Sequence, residues 1–375
     1  MAFSTRKATS SYLFKQSWKR QLVGFIDFLG CCLVRTHDLI DNDTKPRNFT
    51  KILVIRLDHI GDFILTLPAF ERLRDHFPCA QIDLLTDSSL ESLSKKWALF
   101  DHIFSLETHW FTRKSSFLSK LQAFLKFRRV IKKGEYQLAI DFRGDFRNLL
   151  LFAFSGIPFR LGYPHTGGAF LLSELKEVNS RQHQSLINLD LISSLVGDAG
   201  NSVELKSLPS LNGSTALDKS QFADEIIAIH PGAGYPEKIW PENNFKRLIA
   251  LLQERYPSSL IILLGTSLEK QLSEIQENST FHNLRDLRGQ TEIDDLLFLF
   301  SKKTILFIGN DSGIGHIASL YNIPMVCIFS DMNDPNRWKP LSKKLYLITG
   351  DVKKISVETV MESCIQALEN IDEKK

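Results

Sequence analysis

Thr304-Ile305-Leu306-Phe307-Ile308-Gly309-Asn310-Asp311-Ser312-Gly313-Ile314-Gly315-His316-Ile317-Ala318-Ser319-Leu320-Tyr321 is the stretch whose reading decides the fold. Its first six residues are apolar or β-branched and end in glycine, which reads as a buried strand, Thr304–Gly309. Asn310, Asp311, Ser312 and Gly313 make a tight polar turn, and a short helix holding Gly315 and His316 follows. A strand that turns through glycine into a helix aims several backbone N–H groups at one spot. The helix dipole adds partial positive charge there, so the spot suits a phosphate or diphosphate. The plainer reading is an ordinary βα turn in which Asn310 and Asp311 cap the helix. Both readings fit the turn taken by itself.

Outward from this unit the same alternation recurs. Ile226–His230, Leu260–Gly265 and Met325–Ser330 read as further strands, with helices starting near Pro241, Leu268, Glu292 and Gly313. Upstream, Lys51–Leu57, Gln81–Thr86 and Tyr136–Asp141 read as strands, Asp62–Phe77 as a helix ended by Pro78, and Ser115–Lys133 as a long basic helix. Near-continuous apolar strands between helices imply parallel sheets covered on both faces. Ser207–Ser220, with Pro209 and Gly213, breaks the pattern as a linker. The expected organisation is therefore an arm and spacer over 1–49, one doubly wound α/β domain over 50–206, a linker over 207–222 and a second such domain over 223–375. The last helix is free in this scheme to pack back on the first domain. Two such sheets put a ligand cleft between domains, at the carboxyl ends of the strands.

Composition narrows the function classes. The chain has 375 residues, 43% hydrophobic and 24% charged, as in ordinary soluble globular proteins. A net charge of +3 gives no reason to expect a nucleic-acid partner. Cys31, Cys32, Cys79, Cys327 and Cys364 have no zinc-ligand or CxxC spacing, which reads as free thiols in a reducing cytosol. The longest apolar run, Leu22–Val34, contains Asp27 and is too short to span a bilayer. It lacks the small-residue cleavage site of a signal peptide, so residues 11–36 are expected to form an amphipathic surface helix.

Three motifs carry possible chemistry. The first strand runs into Asp58-His59-Ile60-Gly61-Asp62. Gly61 permits a tight turn, and a carboxylate at Asp62 is favoured in its ionised form by the helix dipole. Such a carboxylate at a cleft can take a proton from a substrate hydroxyl; the plainer reading makes Asp62 an N-cap, and His59 is the second candidate for the base. The second motif is His230-Pro231-Gly232-Ala233-Gly234-Tyr235-Pro236-Glu237-Lys238-Ile239-Trp240-Pro241. Its glycines let backbone approach a ligand, and Lys238 beside a helix start is electrostatically misplaced unless an anion neutralises it. Trp240 reads as core. The third is the opening turn: Asp311 suits a sugar hydroxyl, Ser312 and Gly313 suit phosphate, and His316 lies within reach of the same oxygen.

In order and spacing, these motifs resemble glycosyltransferase family 9, which contains the ADP-heptose:lipopolysaccharide heptosyltransferases. The resemblance rests on Ile55 to Asp62 with Thr66-Leu67-Pro68-Ala69, on Ala139 to Asp145, on His230 to Ala233 with Lys238 and Trp240-Pro241, and on Gly309 to Gly313 with His316. It implies a GT-B fold of two Rossmann-like domains, an acceptor-binding first domain and a nucleotide-sugar-binding second domain. It also implies inverting transfer without a metal or other cofactor, with Asp62 as base and Lys238 neutralising the donor diphosphate. Gly232, Ala233, Gly234, Asp311, Ser312, Gly313 and His316 would line the donor site, and His59, Arg143 and Asp145 would face the acceptor. The lone Asp-x-Asp pair, Asp41-Asn42-Asp43, falls in the spacer and reads as an accident of composition. The fifty residues ahead of Lys51 depart from the best-known members, which begin almost at once. The donor is accordingly expected to be ADP-heptose or another nucleotide-activated sugar; a non-catalytic sugar-nucleotide binder is the alternative.

Residues 1–20 carry Arg6, Lys7, Lys15, Lys19 and Arg20 with no acid, and 108–134 carry eight basic residues with no acid. Both runs are studded with Phe, Leu and Trp, so they suit the anionic inner-membrane surface that would present a lipopolysaccharide-type acceptor. A cytoplasmic protein peripheral to the inner membrane is expected. For Ser115–Lys133 an equally good reading packs Phe117, Leu118, Leu121, Phe124 and Leu125 on the sheet and leaves the lysines solvated. A dehydrogenase is excluded because Gly232-Ala233-Gly234 meets Pro236 rather than a third glycine. A glycosidase would need two facing carboxylates, and nothing brings Asp62 and Asp145 together.

Overall fold

Strand formation follows the apolar runs. In the computed structural model, residues 16–33, 48–106, 117–198 except 175 and 177, 225–275 and 281–372 are described, with 200, 203, 205, 208 and 209. The chain divides into two compact units. The first comprises residues 1–58 and 66–206, the second 59–65 and 207–375. The short segment that carries Asp62 therefore belongs with the second unit. Residues 1–15, the Asp41-Asn42-Asp43 pair and most of the 207–222 linker lie outside the described residues.

The first unit holds strands β1 (Lys51–Arg56), β2 (Gln81–Asp87), β3 (His102–Leu106), β4 (Leu138–Asp141) and β5 (Phe159–Gly162). They form one parallel sheet in the order β3-β2-β1-β4-β5. Ile52, Leu53, Val54 and Ile55 are all fully buried, as a strand covered on both faces requires. Three helices are added to the sequence reading: Glu91–Ser94, Phe146–Phe154 and Gln184–Val196. The single helix expected over Asp62–Phe77 is two, Ile60–Ile64 and Leu67–His76, with Pro68 in the first turn of the second. On the basic helix Phe117–Gly134, Phe124, Phe127 and Ile131 pack toward the core while Leu121 and Leu125 are exposed. That helix is held by its aromatic stripe; the side chains of Phe117 and Leu118 lie outside the described residues.

The second unit holds β6 (Ile226–His230), β7 (Leu260–Leu263), β8 (Leu284–Asp286), β9 (Thr304–Asn310), β10 (Met325–Ser330) and β11 (Leu345–Gly350). All pair in parallel, in the order β11-β10-β9-β6-β7-β8. The order reverses between β6 and β9, which is where a doubly wound sheet opens its ligand crevice. Trp240, Phe245, Leu248, Ile249 and Leu252 bury against this sheet, and each such side chain contributes roughly 1.5–3 kcal/mol. The last helix, Val357–Asp372, packs on helix Glu242–Arg255 and on β9, β10 and β11. Its Val357, Val360, Cys364 and Ala367 complete the second unit's core.

The N-terminal helix spans Ser17–Leu33 and packs on the turn around Ala169–Leu171 of the first unit. Gly167 and Gly168 both have left-handed backbone, φ 103° and 92°, which favours glycine. The Gly168 N–H donates to the buried Asp27 carboxylate at 2.7 Å. Gly30 faces Phe170 so closely that it has no room for a side chain. The helix is thus fastened to the fold through Val23, Asp27 and Gly30, while its largest described apolar side chains stay exposed.

Candidate functional site

The carboxyl ends of β6 and β9 lie side by side, with His230 in register with Gly309. One buried side chain ties together the loops that leave them. Asn310 accepts the Trp240 N–H at 3.1 Å and donates to the Pro231 carbonyl at 2.8 Å and the Gly232 carbonyl at 3.3 Å. Trp240 is fully buried, its indole N–H donating to the Ile355 carbonyl at 2.9 Å. The His230–Pro241 loop is therefore held at both ends, and Lys238 sits on a short 3-10 turn, Pro236–Lys238, within it.

Lys238 reaches Asp311, Nζ to Oδ2 2.8 Å, and Asn333 donates to the same carboxylate oxygen at 2.5 Å. Both charged side chains are largely buried. The Lys238 ammonium also lies 5.8 Å from the Tyr235 ring centre. This geometry disposes of the plain capping reading of the turn. Asp311 is engaged by Lys238 and Asn333, Asn310 by the neighbouring loop, and the residue at the N-cap of helix Gly313–Ser319, Ser312, makes no side-chain capping hydrogen bond.

Ser312 instead lies against His230, Oγ to Nδ1 2.8 Å. The other ring nitrogen of His230 is 3.4 Å from the Glu269 carboxylate. Glu269 closes a capping box with Thr266 and accepts its backbone N–H at 2.6 Å. Burial opposes charge on Glu269, but the hydrogen bonds from His230 and Thr266 bring its pKa down to about 2. A side chain at Gly232 would run into Glu269, so glycine there keeps the carboxylate in place. Sequence reading missed Glu269 and the role of His230. The only signal was the Thr266-to-Glu269 capping-box spacing, which speaks of a helix start rather than of a site.

Asp62 lies in the first turn of helix Ile60–Ile64, whose N-cap is His59, so Asp62 is inside the helix and not its cap. That helix packs on helix Gly313–Ser319. A Cβ on Gly61 would stand 2.7 Å from the His316 ring, and one on Gly313 would stand 3.2 Å from Ile60. The two glycines thus set the close approach of Asp62 to the Ser312–His316 segment. The half-buried guanidinium of Arg337 lies near enough for the Asp62 and Asp334 carboxylates to counter the fall in its pKa caused by partial burial. A cavity of about 430 Å³ collects these groups: Asp62 and His59, Lys238 and Gly234, and Asp311 to Gly313 with His316. Tyr235, Asn333 and Trp338 complete its wall. Its size is that of a small-molecule site.

Arg143 and Asp145 belong to the first unit. Arg143 pairs with Asp58 at 3.2 Å and donates to the Leu57 carbonyl at 3.1 Å. Asp145 caps helix Phe146–Phe154 and grips Arg147 at 2.6 Å. Below them Asp141 is fully buried, and burial together with the Asp145 charge pushes its pKa up to about 7. Gly232 and Ala233 are not among the residues that line the cavity. Among the described residues no group of three or more His, Cys, Asp or Glu side chains could hold a metal ion. No helix among them is long and apolar enough to cross a membrane.

Comparisons with known proteins bear on the fold and the family. The profile of glycosyltransferase family 9 (heptosyltransferase) matches residues 124–365. Lipooligosaccharide heptosyltransferase 2 of Haemophilus ducreyi is 24% identical over 347 residues, covering 86% of this chain and 95% of that protein. The structure of E. coli ADP-heptose lipopolysaccharide heptosyltransferase II superposes with a TM-score of 0.70 at 20% identity, covering 86% of this chain and 99% of that one. E. coli heptosyltransferase WaaC, solved with ADP, gives a TM-score of 0.66 at 14% identity over 84% and 99% of the two chains. The likeness establishes two Rossmann-like α/β units of the GT-B type.

Proposed function

Since the chain belongs to glycosyltransferase family 9, we propose that it moves a heptose from ADP-heptose to a lipopolysaccharide-type acceptor, with inversion and without a metal. The observation that carries this reading is that Asp62 and Lys238 line one cavity. In this reading Asp62 takes the proton from an acceptor hydroxyl as its oxygen bonds to the anomeric carbon. The bond from that carbon to the donor diphosphate breaks on the opposite side, which inverts the configuration. The electron pair leaves with the diphosphate, so the transition state gains negative charge there. Lys238 answers that charge, and Ser312, Gly313 and His316 are the neighbouring contacts. Asp311, which shares Lys238, is suited to a sugar hydroxyl.

Two relatives support the donor and acceptor assignments. One was solved with ADP, and another is named for lipooligosaccharide. On this reading the protein would work at the cytoplasmic face of the inner membrane, where a nucleotide donor and a lipopolysaccharide-type acceptor are both within reach.

The test is Asp62→Asn with two readouts. Transfer to a lipopolysaccharide precursor is expected to fall about 10²–10⁴-fold. ADP is expected to raise the melting temperature of the variant as it does that of the unaltered protein. Full transfer activity in the variant would refute Asp62 as base. Selective stabilisation by UDP or GDP instead of ADP would replace heptose with another nucleotide sugar.

A further inference from the structure

The N-terminal helix presents its apolar side outward. Trp18, Leu22, Phe25 and Leu29 recur at helical spacing, flanked by Ile26 and Phe28, and all six are between 41% and 62% exposed. The opposite side, with Asp27, Gly30 and Val23, is the one that meets the Gly167–Phe170 turn. An isolated amphipathic helix docks the other way round, burying its large apolar side chains. Here a single buried carboxylate and two close glycine contacts spend the polar side on the fold and leave six large apolar groups uncovered. Large exposed apolar side chains gathered on one helix face mark an interaction site.

We infer that this outward face is a membrane-insertion surface, which rests on the reading above and names the part of the enzyme that meets the lipid bearing its acceptor. Charge selects the occupant. Asp27 is the one acid in Ser17–Leu33, and it is turned inward and bonded to Gly168, so the outer face carries no negative charge. Lys19 and Arg20 stand at its start, and Lys19 lies 5.5 Å from the Trp18 ring centre. Upstream, Arg6, Lys7 and Lys15 continue the basic run without an acid. Aromatic and aliphatic side chains bounded by cations match an anionic bilayer, in which the rings enter the acyl boundary and the cations meet lipid phosphates. A second copy of the same face would bring cation against cation. Because the helix is fastened to the first unit, insertion would orient the whole unit on the bilayer instead of merely tethering it.

The experiment uses full-length protein and sucrose-loaded vesicles free of any glycolipid, made of phosphatidylcholine with or without phosphatidylglycerol. The unaltered protein is expected to sediment with the anionic vesicles. The triple variant Leu22→Ser, Phe25→Ser, Leu29→Ser is expected to lose on the order of 100-fold in partitioning. Lys19→Glu with Arg20→Glu is expected to weaken binding to the anionic vesicles only. Circular dichroism and ADP thermal shifts of both variants are expected to match the unaltered protein, which keeps a folding failure separate from a lost surface. Unchanged vesicle binding by the triple variant overturns the inference. So does a dimer in sedimentation velocity that the triple variant dissolves while vesicle binding persists. Failure of transfer or of ADP binding would sink the catalytic reading and leave the vesicle result standing.

Discussion

Lys238→Met removes the charge on which the proposed donor site turns, and its size follows from the geometry. Lys238 and Asp311 form a 2.8 Å pair with side chains 13% and 9% exposed. Without the lysine, Asp311 keeps the Asn333 hydrogen bond but loses its counter-charge. Breaking a fully buried pair costs about 3–5 kcal/mol; some solvent reaches this one, so about 1–3 kcal/mol is expected. For a unit of this size that is a fall in Tm of roughly 3–10 °C. A charge-assisted hydrogen bond to a diphosphate contributes about 1.5–3 kcal/mol, or about 10–150-fold in affinity. The lysine must be shared with Asp311, so ADP binding should weaken toward the lower figure. The leaving diphosphate gains charge in the transition state, so kcat/KM should fall further than the ADP affinity does. Isothermal titration with ADP and a coupled transfer assay measure the two. Asp311→Asn is the control: it removes a carboxylate beside the diphosphate and should leave ADP affinity equal or greater. An ADP affinity within twofold of the unaltered protein in Lys238→Met, with transfer intact, would refute the reasoning.

Gly61→Ala should push the His316 ring, because the new Cβ would lie 2.7 Å from it. A cost of about 1–3 kcal/mol and weaker ADP binding are expected with an unchanged far-UV spectrum; no change in Tm or ADP affinity would contradict the close packing. Glu269, lowered from 4.5 to about 2 in the folded state, stabilises the fold above pH 4.5 and loses that contribution as pH falls through 2. Urea unfolding of Glu269→Gln should therefore show a deficit on the order of 3 kcal/mol at pH 6 that closes toward pH 2. Asp141 runs the other way. Its raised pKa makes its contribution greatest below pH 3.8 and lost as pH rises through about 7, so Asp141→Asn should flatten stability between those values.

Much of the second sheet was legible because its strands are short apolar runs bounded by glycine and polar turns. β6, β7, β9 and β10 fall close to the expected spans. The strands that were missed, β3, β5, β8 and β11, have less apolar or partly exposed patterns: β8 is Leu284-Arg285-Asp286, and β11 alternates at a half-exposed edge. Their strand character comes from pairing with a neighbour, which a local window does not contain. The single helix expected from Asp62 failed for a different reason: apolar periodicity runs on through the break between Ile64 and Leu67, which Pro68 alone marks.

By itself the sequence determined the alternation of strands and helices, the glycine-bearing turns at strand ends, and the candidacy of Asp62, Lys238 and the Asp311–Gly313 turn. Those properties are local, fixed by side-chain periodicity and by backbone freedom at a few positions. Tertiary structure decided what joins residues far apart. It gave Asn310 to the loop of Pro231 and Gly232, set His230 between Ser312 and Glu269, and assigned the Asp62 helix to the second unit. It also turned the N-terminal helix so that its apolar side faces outward. Hydrophobic periodicity says which side of a helix is apolar. Whether that side is buried depends on what the rest of the chain offers it, and here the Gly167–Gly168 turn offered a hydrogen bond to Asp27 instead.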